Sequence, residues 1–113
     1  RLAEENIGEL LERLENKGYK NILLYGAGEV AETILGIIKG RKDKPLKVLA
    51  VIDDDETRQD KELLGFKIIS KDCIKEYKHD GILITSYGYE DDIIHKLEEV
   101  NYPEDKTVRF FSE

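Results

Sequence analysis

The sequence predicts an α/β protein with an open parallel sheet and helices on both faces, in three layers. Its apolar segments 20–25, 47–52 and 81–85 are continuous rather than alternating, which is typical of strands buried on both faces. Amphipathic helical patterns separate the strands, and a crossover between parallel strands is right-handed. A chain of 113 residues suits one domain with one core.

The first half of the chain is predicted to contain two helices and two strands. Residues 1–18 form an amphipathic helix ending at Gly18, because apolar side chains recur at helical spacing. These are Ile7, Leu10, Leu11 and Leu14. This helix either covers one edge of the sheet or continues a connector from an upstream domain. Strand 20–25, a helix over 29–39 and strand 47–52 follow.

The middle of the chain gives weaker signals. Residues 56–64 are highly charged and weakly periodic, which predicts a mobile loop with at most one helical turn. Gly65 then turns the chain into a short strand over 66–69. Ser70 is expected to cap a short helix that runs through Tyr77.

The last third predicts strand 81–85, a helix over 90–100 and a final strand over 108–111. With the five predicted strands numbered along the chain, their spatial order is 3-2-1-4-5, which is a Rossmann-like sheet. Residues 19–113 therefore form the predicted nucleotide-binding domain. Its ligand is expected at the switch point between strands 1 and 4, beyond their carboxyl ends.

A glycine-rich turn joins the first strand to the next helix. It consists of Gly26, Ala27, Gly28, Glu29, Val30 and Ala31. Gly26 allows a tight turn, Gly28 allows the backbone to approach a pyrophosphate, and Ala31 allows helix and sheet to pack closely. The free amides and dipole of the helix start favour a phosphate, although Glu29 adds a competing negative charge. Alternatively, the glycines only make a tight strand-to-helix turn.

Acidic residues end the second strand. Asp53 ends the second strand, where such domains place the acid that binds ribose hydroxyls. It lies 27 positions after Gly26, which is longer than the usual ~20, and the loop at 40–45 can absorb the difference. Asp54 belongs to the same candidate site, although Asp54 and Asp55 are expected to be mainly solvated. Three consecutive aspartates disfavour a ribose 2′-phosphate unless Arg58 folds over them. Alternatively, the acids only form a turn.

Hydroxyl side chains follow the strand at 81–85. Thr85, Ser86 and Tyr87 are expected to face the glycine turn across the crevice, where they bond ribose or phosphate oxygens or lie against a base or sugar. Ordinary loop and capping roles are equally compatible with these residue types. Tyr25 is expected to pack in the sheet.

The sequence offers no catalytic or metal-binding constellation. His79 and His95 are expected at the surface, away from the crevice, and Ser86 has no histidine partner for nucleophilic catalysis. The single cysteine, Cys73, excludes an internal disulfide, has no metal-ligand spacing and is expected to be half-buried in a helix.

Composition narrows the possible partners. With 25 acidic and 18 basic residues, the net charge of −7 argues against direct nucleic-acid binding by this segment. No apolar stretch approaches the ~20 residues of a membrane span, so a cytoplasmic location is expected.

The chain has no methionine and starts at Arg1, which predicts a piece of a longer protein with a covalently linked further domain. A homodimer remains open.

Residues 21–97 resemble a group of bacterial and archaeal nucleotide-binding domains. The shared layout is a Tyr-Gly-Ala-Gly turn, a strand ending in Asp-Asp, and a Leu-Gly-Phe segment, here at 25–31, 51–55 and 64–68. Similar domains begin sialic-acid-type sugar O-acyltransferases and membrane-anchored nucleotide-sugar dehydratases of polysaccharide biosynthesis. Others follow winged-helix segments in regulators. The resemblance implies nucleotide contacts at Gly26, Gly28 and Asp53.

The catalytic regions of those relatives, a repeat helix and a Ser/Thr-Tyr-Lys site, are not found in the sequence. The leading hypothesis is therefore a domain that binds NAD(H) or a nucleotide sugar as a sensor or substrate-holding module. A second is the cofactor-binding half of a nucleotide-sugar-modifying enzyme or NAD-dependent oxidoreductase. A third is a ligand-free assembly domain that uses the first helix, with Ile7, Leu10 and Leu14, and the sheet edge.

Overall fold

The computed structural model describes residues 4–41, 43 and 45–110. Its α-helices are α1 (Glu4–Asn16), α2 (Glu29–Gly40) and α3 (Glu90–Glu99), and two 3₁₀ helices span Lys71–Glu76 and Glu104–Lys106. Its strands are β1 (Asn21–Tyr25), β2 (Lys47–Ile52), β3 (Glu62–Leu63), β4 (Phe66–Ile69), β5 (Gly81–Ile84) and β6 (Thr107–Arg109). The end of the predicted last strand, residue 111, lies outside the described residues.

The strands form one sheet in the order β3-β4-β2-β1-β5-β6. Every neighbouring pair is parallel except β3 and β4. The predicted order 3-2-1-4-5 corresponds to β4-β2-β1-β5-β6, so the predicted α/β, Rossmann-like fold class is confirmed. The sequence prediction missed β3, which extends the sheet at its outer edge.

Successive side chains of β1 point to opposite faces of the sheet, so the core has two layers. Ile22 and Leu24 point to the face that α1 and α2 cover, and Leu23 and Tyr25 point to the face that α3 covers. All four side chains are at most 1% exposed. The continuous apolar pattern of β1 therefore reflects burial on both sides, as expected for a central parallel strand.

The prediction of a mobile loop over 56–64 is wrong for its second half. Leu63 pairs with Phe66 across a two-residue turn, in which Leu64 and Gly65 have φ of 52° and 87°. Two consecutive positive φ values are typical of the type I′ hairpin turn. A leucine rarely adopts this conformation, so the sequence shows only half of the turn signal.

Helix α1 lies on a face of the sheet rather than at its edge. Its apolar residues Ile7, Leu10 and Leu14 are at most 6% exposed and share one core cluster with α2. Glu15 binds Arg41 at 2.8 Å, which fastens α1 to the end of α2. The apolar face of α1 belongs to the core of the chain itself and is therefore not free for assembly with another protein.

Among the described residues, no helix combines the length and the apolar character needed to cross a bilayer.

We expect Leu11→Ala to lower the free energy of unfolding by about 2–5 kcal/mol, because Leu11 is fully buried and the substitution leaves a cavity. Urea unfolding measures this change. Glu12→Ala, at the adjacent exposed position of α1, is the control. If α1 were a connector that packed outside the core, the two variants would have the same free energy of unfolding.

Candidate functional site

The glycine turn after β1 is closely packed at its first position and open at its third. Gly26 has φ of +120° and donates its N–H to the carbonyl of Ile52 at 2.7 Å. A Cβ on Gly26 would lie 2.1 Å from the Ser86 hydroxyl oxygen. Gly28 is exposed, has φ of −109°, and a Cβ there would meet no atom within 4 Å. Gly26 therefore shapes the crevice, whereas Gly28 borders open space.

Helix α2 begins at this turn without a side-chain cap. Gly28 is its N-cap residue and forms no side-chain hydrogen bond with the helix start. Glu29 lies in the first turn with an exposed side chain, and Val30 is half-buried beside it. No side chain therefore caps the backbone amides of the first turn, and the helix dipole favours an anion there.

Asp53 lies against the glycine turn. Its Oδ2 accepts the Ala27 N–H at 2.8 Å and its Oδ1 accepts the Asp55 N–H at 2.9 Å. Because a carboxylate offers about four acceptor positions, Asp53 keeps acceptor capacity for two ribose hydroxyls. The backbone bonds hold the carboxylate in place without saturating it.

Asp54 is exposed, as expected, but both of its carboxylate oxygens also have protein partners. Its Oδ1 accepts the Tyr25 hydroxyl at 2.7 Å, and its Oδ2 binds Lys96 of α3 at 2.9 Å. Lys96 also binds Asp92 at 3.0 Å, one turn earlier in α3. The end of β2 is therefore tied to α3. The sequence contained the Asp92 to Lys96 spacing of a helical ion pair, but it did not reveal the third partner.

These contacts shift three pKa values. Partial burial acts to raise the pKa of Asp54, but hydrogen bonds from Lys96 and Tyr25 outweigh it and hold that pKa below its ordinary 3.8. The hydrogen bond to Asp54 in turn raises the pKa of Lys96. Burial, with the hydrogen bond to Asp54, raises the pKa of Tyr25 well above its ordinary value. Tyr25 packs in the sheet as predicted and in addition serves as a hydrogen-bond donor.

The segment after β5 contacts the glycine turn from the opposite side. Thr85 is only 2% exposed, and its hydroxyl lies 2.7 Å from the Gly26 carbonyl and 3.0 Å from the Tyr25 carbonyl. These contacts give Thr85 a structural role in the turn. Ser86 packs over Gly26. Tyr87 and Tyr89 are 76% and 66% exposed, and Tyr89 also lines the cavity beside Gly26.

Two residues of the segment after Asp55 also reach the site. Arg58 donates from Nη1 to the Ala27 carbonyl, and Gln59 donates from Nε2 to the Asp53 carbonyl at 2.9 Å. Arg58 thus folds onto the glycine turn rather than over the aspartates. Sequence reasoning did not identify Gln59, because nothing in a charged loop marks which amide returns to the sheet.

A small cavity of about 120 Å³ lies between the glycine turn and α3. Its lining includes Gly26, Asp54, Ser86 and Lys96. It is smaller than the ~300–1,000 Å³ typical of pockets that enclose a drug-sized ligand. A nucleotide would therefore lie largely in the open crevice above the glycine turn.

The remaining candidate residues lie away from this crevice. His95 is exposed, as predicted, and Cys73 is half-buried in the 3₁₀ helix Lys71–Glu76. His79 is half-buried rather than at the surface. Its Nδ1 lies 2.8 Å from the Tyr77 carbonyl and its Nε2 lies 2.8 Å from the Tyr102 hydroxyl. Since a carbonyl only accepts, Nδ1 donates, and His79 has a structural role. Among the described residues, no group of three or more metal-ligating side chains could hold a metal ion.

The parallel sheet, the glycine turn at its switch point and the acid after β2 together define a Rossmann-type fold. A protein-family model, described as C2185-like, N-terminal, matches residues 18–108. The chain belongs to this family. Comparison with curated protein sequences gave no significant match.

Solved structures share the fold at low sequence identity. UDP-D-quinovosamine 4-dehydrogenase from Vibrio fischeri matches with a TM-score of 0.62 and 22% identity, over 80% of this chain and 77% of that one. RSP, a Rex-family repressor, matches with a TM-score of 0.60 and 12% identity, over 94% of this chain and 58% of the repressor. RSP in complex with β-NAD⁺ and operator DNA gives a TM-score of 0.60 and 12% identity, over 92% of this chain and 57% of that one. The chain therefore spans little more than half of the repressor.

We expect Gly26→Ala to destabilise the protein by about 2 kcal/mol or more, because a side chain there meets both a positive φ and the Ser86 hydroxyl. Gly28→Ala is the matched control and should change the free energy of unfolding by less than about 0.5 kcal/mol. Denaturant unfolding of both variants measures this difference. Equal losses would show that the turn packs differently.

Acid should weaken the link between β2 and α3. Because the folded-state pKa of Asp54 is lowered, its stabilising contribution is complete above pH 3.8 and is lost as the pH falls through the folded-state value. Below about pH 4, the stability of Asp54→Asn should therefore fall less steeply with pH than that of the unsubstituted protein. Urea unfolding at a series of acidic pH values measures both slopes. The control is Glu98→Gln, on the exposed side of α3, whose stability should depend on pH as steeply as that of the unsubstituted protein. The prediction would be contradicted if the stability of Asp54→Asn also kept this pH dependence.

Proposed function

We propose that this chain is a nucleotide-binding domain for NAD(H) or a nucleotide sugar, and that it serves a larger protein as a sensor or substrate-holding module. The observation that carries this proposal is the contact between Asp53 and the glycine turn. The Ala27 N–H binds Asp53 at 2.8 Å, so the groups expected at ribose and at phosphate lie side by side. A turn needed only for packing would not require an oriented carboxylate at that point.

Each ligand moiety has a matching group in the crevice. The exposed start of α2, from Gly28 to Val30, would bind the phosphates through backbone amides. Asp53 would accept hydrogen bonds from the ribose hydroxyls. Ser86 would contribute a hydroxyl beside Gly26, and Tyr87 would lie against the base or sugar. Thr85 would act by holding the turn.

Structural neighbours support the choice of ligand. One neighbour is a UDP-D-quinovosamine 4-dehydrogenase, and another is a Rex-family repressor in complex with β-NAD⁺ or β-NADH. A nucleotide ligand agrees with the cytoplasmic location that the sequence predicts. A sensor role, with a DNA-binding segment elsewhere in the parent protein, follows the repressor example and the resemblance to winged-helix regulators.

A second candidate is the cofactor-binding half of an enzyme that modifies a nucleotide sugar. The likeness to the UDP-sugar dehydrogenase, of which the chain covers 77%, favours it. The sequence motifs at 25–31, 51–55 and 64–68, which resemble those of the N-terminal domains of sugar O-acyltransferases and dehydratases, agree with this candidate. Under this proposal the catalytic groups would come from another part of the parent protein.

Isothermal titration of the chain with NAD⁺, NADH, NADP⁺ and UDP-N-acetylglucosamine tests ligand binding. We expect NAD(H) or the UDP-sugar to bind, and NADP⁺ to bind more weakly than NAD⁺ because Asp53 repels a 2′-phosphate. Gly28→Arg should abolish binding without lowering the thermal unfolding midpoint, since its side chain enters open space in front of α2.

Gly36→Arg is the matched control, because Gly36 lies on the same helix, is exposed and also borders open space. It should bind ligand like the unsubstituted protein. Absence of heat with all four ligands, or full binding by Gly28→Arg, would contradict the proposed function.

A further inference from the structure

An arginine lies on the glycine turn although it is distant in sequence. Arg58 donates from Nη1 to the carbonyl of Ala27, 31 positions earlier. The Arg58 backbone is itself held in place, because its N–H binds the Asp55 carbonyl at 2.9 Å and its carbonyl accepts the Lys61 N–H at 3.1 Å. The half-buried side chain therefore starts from an ordered turn rather than from a loose loop.

Arg58 forms no close ion pair with the neighbouring acids, although its charge, after the hydrogen bonds from Thr57, helps to lower the pKa of Asp55. Asp54 is neutralised by Lys96 at 2.9 Å, and Asp53 accepts two backbone N–H groups. Within the described ranges, no carboxylate forms an ion pair with Arg58. A guanidinium has five N–H donors, and the bond to Ala27 occupies one of them. Arg58 thus brings a positive charge and further donors to the turn in a chain of net charge −7.

We propose that Arg58 is the cationic group that binds the pyrophosphate of the nucleotide. This inference rests on the proposed function and deepens it, because a pyrophosphate is the moiety that NAD(H) and the nucleotide diphosphate sugars share. A guanidinium binds two phosphate oxygens at once in a fixed geometry. The bond of Arg58 to Ala27 places its charge one residue before Gly28, the N-cap of α2, where the phosphates are expected. Arg58 would also offset the repulsion between the acidic turn and an anionic ligand.

Binding measurements on four proteins test this assignment. The proteins are the unsubstituted chain, Arg58→Gln, Arg58→Lys and Lys61→Gln, and the ligands are NAD⁺, NADP⁺, ADP and UDP. Lys61→Gln is the control, since it removes one exposed positive charge from the same loop. For each ligand that the unsubstituted chain binds, we expect Arg58→Gln to lower the affinity by about tenfold or more. Arg58→Lys should lower the affinity less. Lys61→Gln should stay within about twofold, as expected for an exposed charge. Because both Arg58 variants lose the bond to Ala27, their thermal unfolding midpoints should be lowered equally, and that of Lys61→Gln should be unchanged.

The results separate the possible failures. Full affinity in Arg58→Gln, with binding by the unsubstituted chain, would overturn the role of Arg58 and leave the proposed function standing. A loss confined to NADP⁺ would place Arg58 at the ribose 2′-position and overturn the pyrophosphate assignment. Equal affinity losses in the glutamine and lysine variants, alongside their equally lowered midpoints, would show a purely structural role. No binding by the unsubstituted chain would overturn the proposed function itself.

Discussion

The crevice depends on the close approach of three chain segments at Gly26. Its N–H continues the β1 to β2 ladder by binding Ile52, its carbonyl accepts the Thr85 hydroxyl, and Ser86 occupies the space of a missing side chain. A Cβ at this position would collide with the Ser86 side chain. The carboxyl ends of β1, β2 and β5 are therefore held in one arrangement. The acid after β2 and the hydroxyls after β5 take their positions from it.

Electrostatics around this turn are balanced locally rather than by the overall charge. The chain is strongly acidic, and Asp53, Asp54 and Asp55 lie close to a helix start that favours anions. Backbone amides hold the Asp53 carboxylate, and Lys96 and Tyr25 hold Asp54. An anionic ligand would thus meet acids that are already compensated. The proposed nucleotide site is therefore compatible with the negative net charge of the domain.

Much of the fold was predictable because burial leaves a direct mark on the sequence. Strands β1, β2 and β5 are apolar on both faces, and α2 and α3 carry one apolar side each, so the order of the central strands followed from connection rules. The hairpin of β3 and β4 was missed because Leu64 adopts a positive φ that its side chain disfavours. The sequence left the position of α1 open. An amphipathic pattern indicates that one side of a helix is buried, but it does not indicate which part of the protein that side packs against.

For the candidate site, the sequence by itself determined which residues can serve: a glycine without a side chain, a carboxylate after a strand, and hydroxyls after the next central strand. Only the tertiary structure decided which of them are accessible and which are structural. Thr85 turned out to be buried on the turn, Asp54 to be held by α3, and Arg58 to lie on Ala27. The physical reason is that local patterns encode conformation and burial, whereas contacts between residues about 30 to 60 positions apart depend on how the strands are arranged in the sheet.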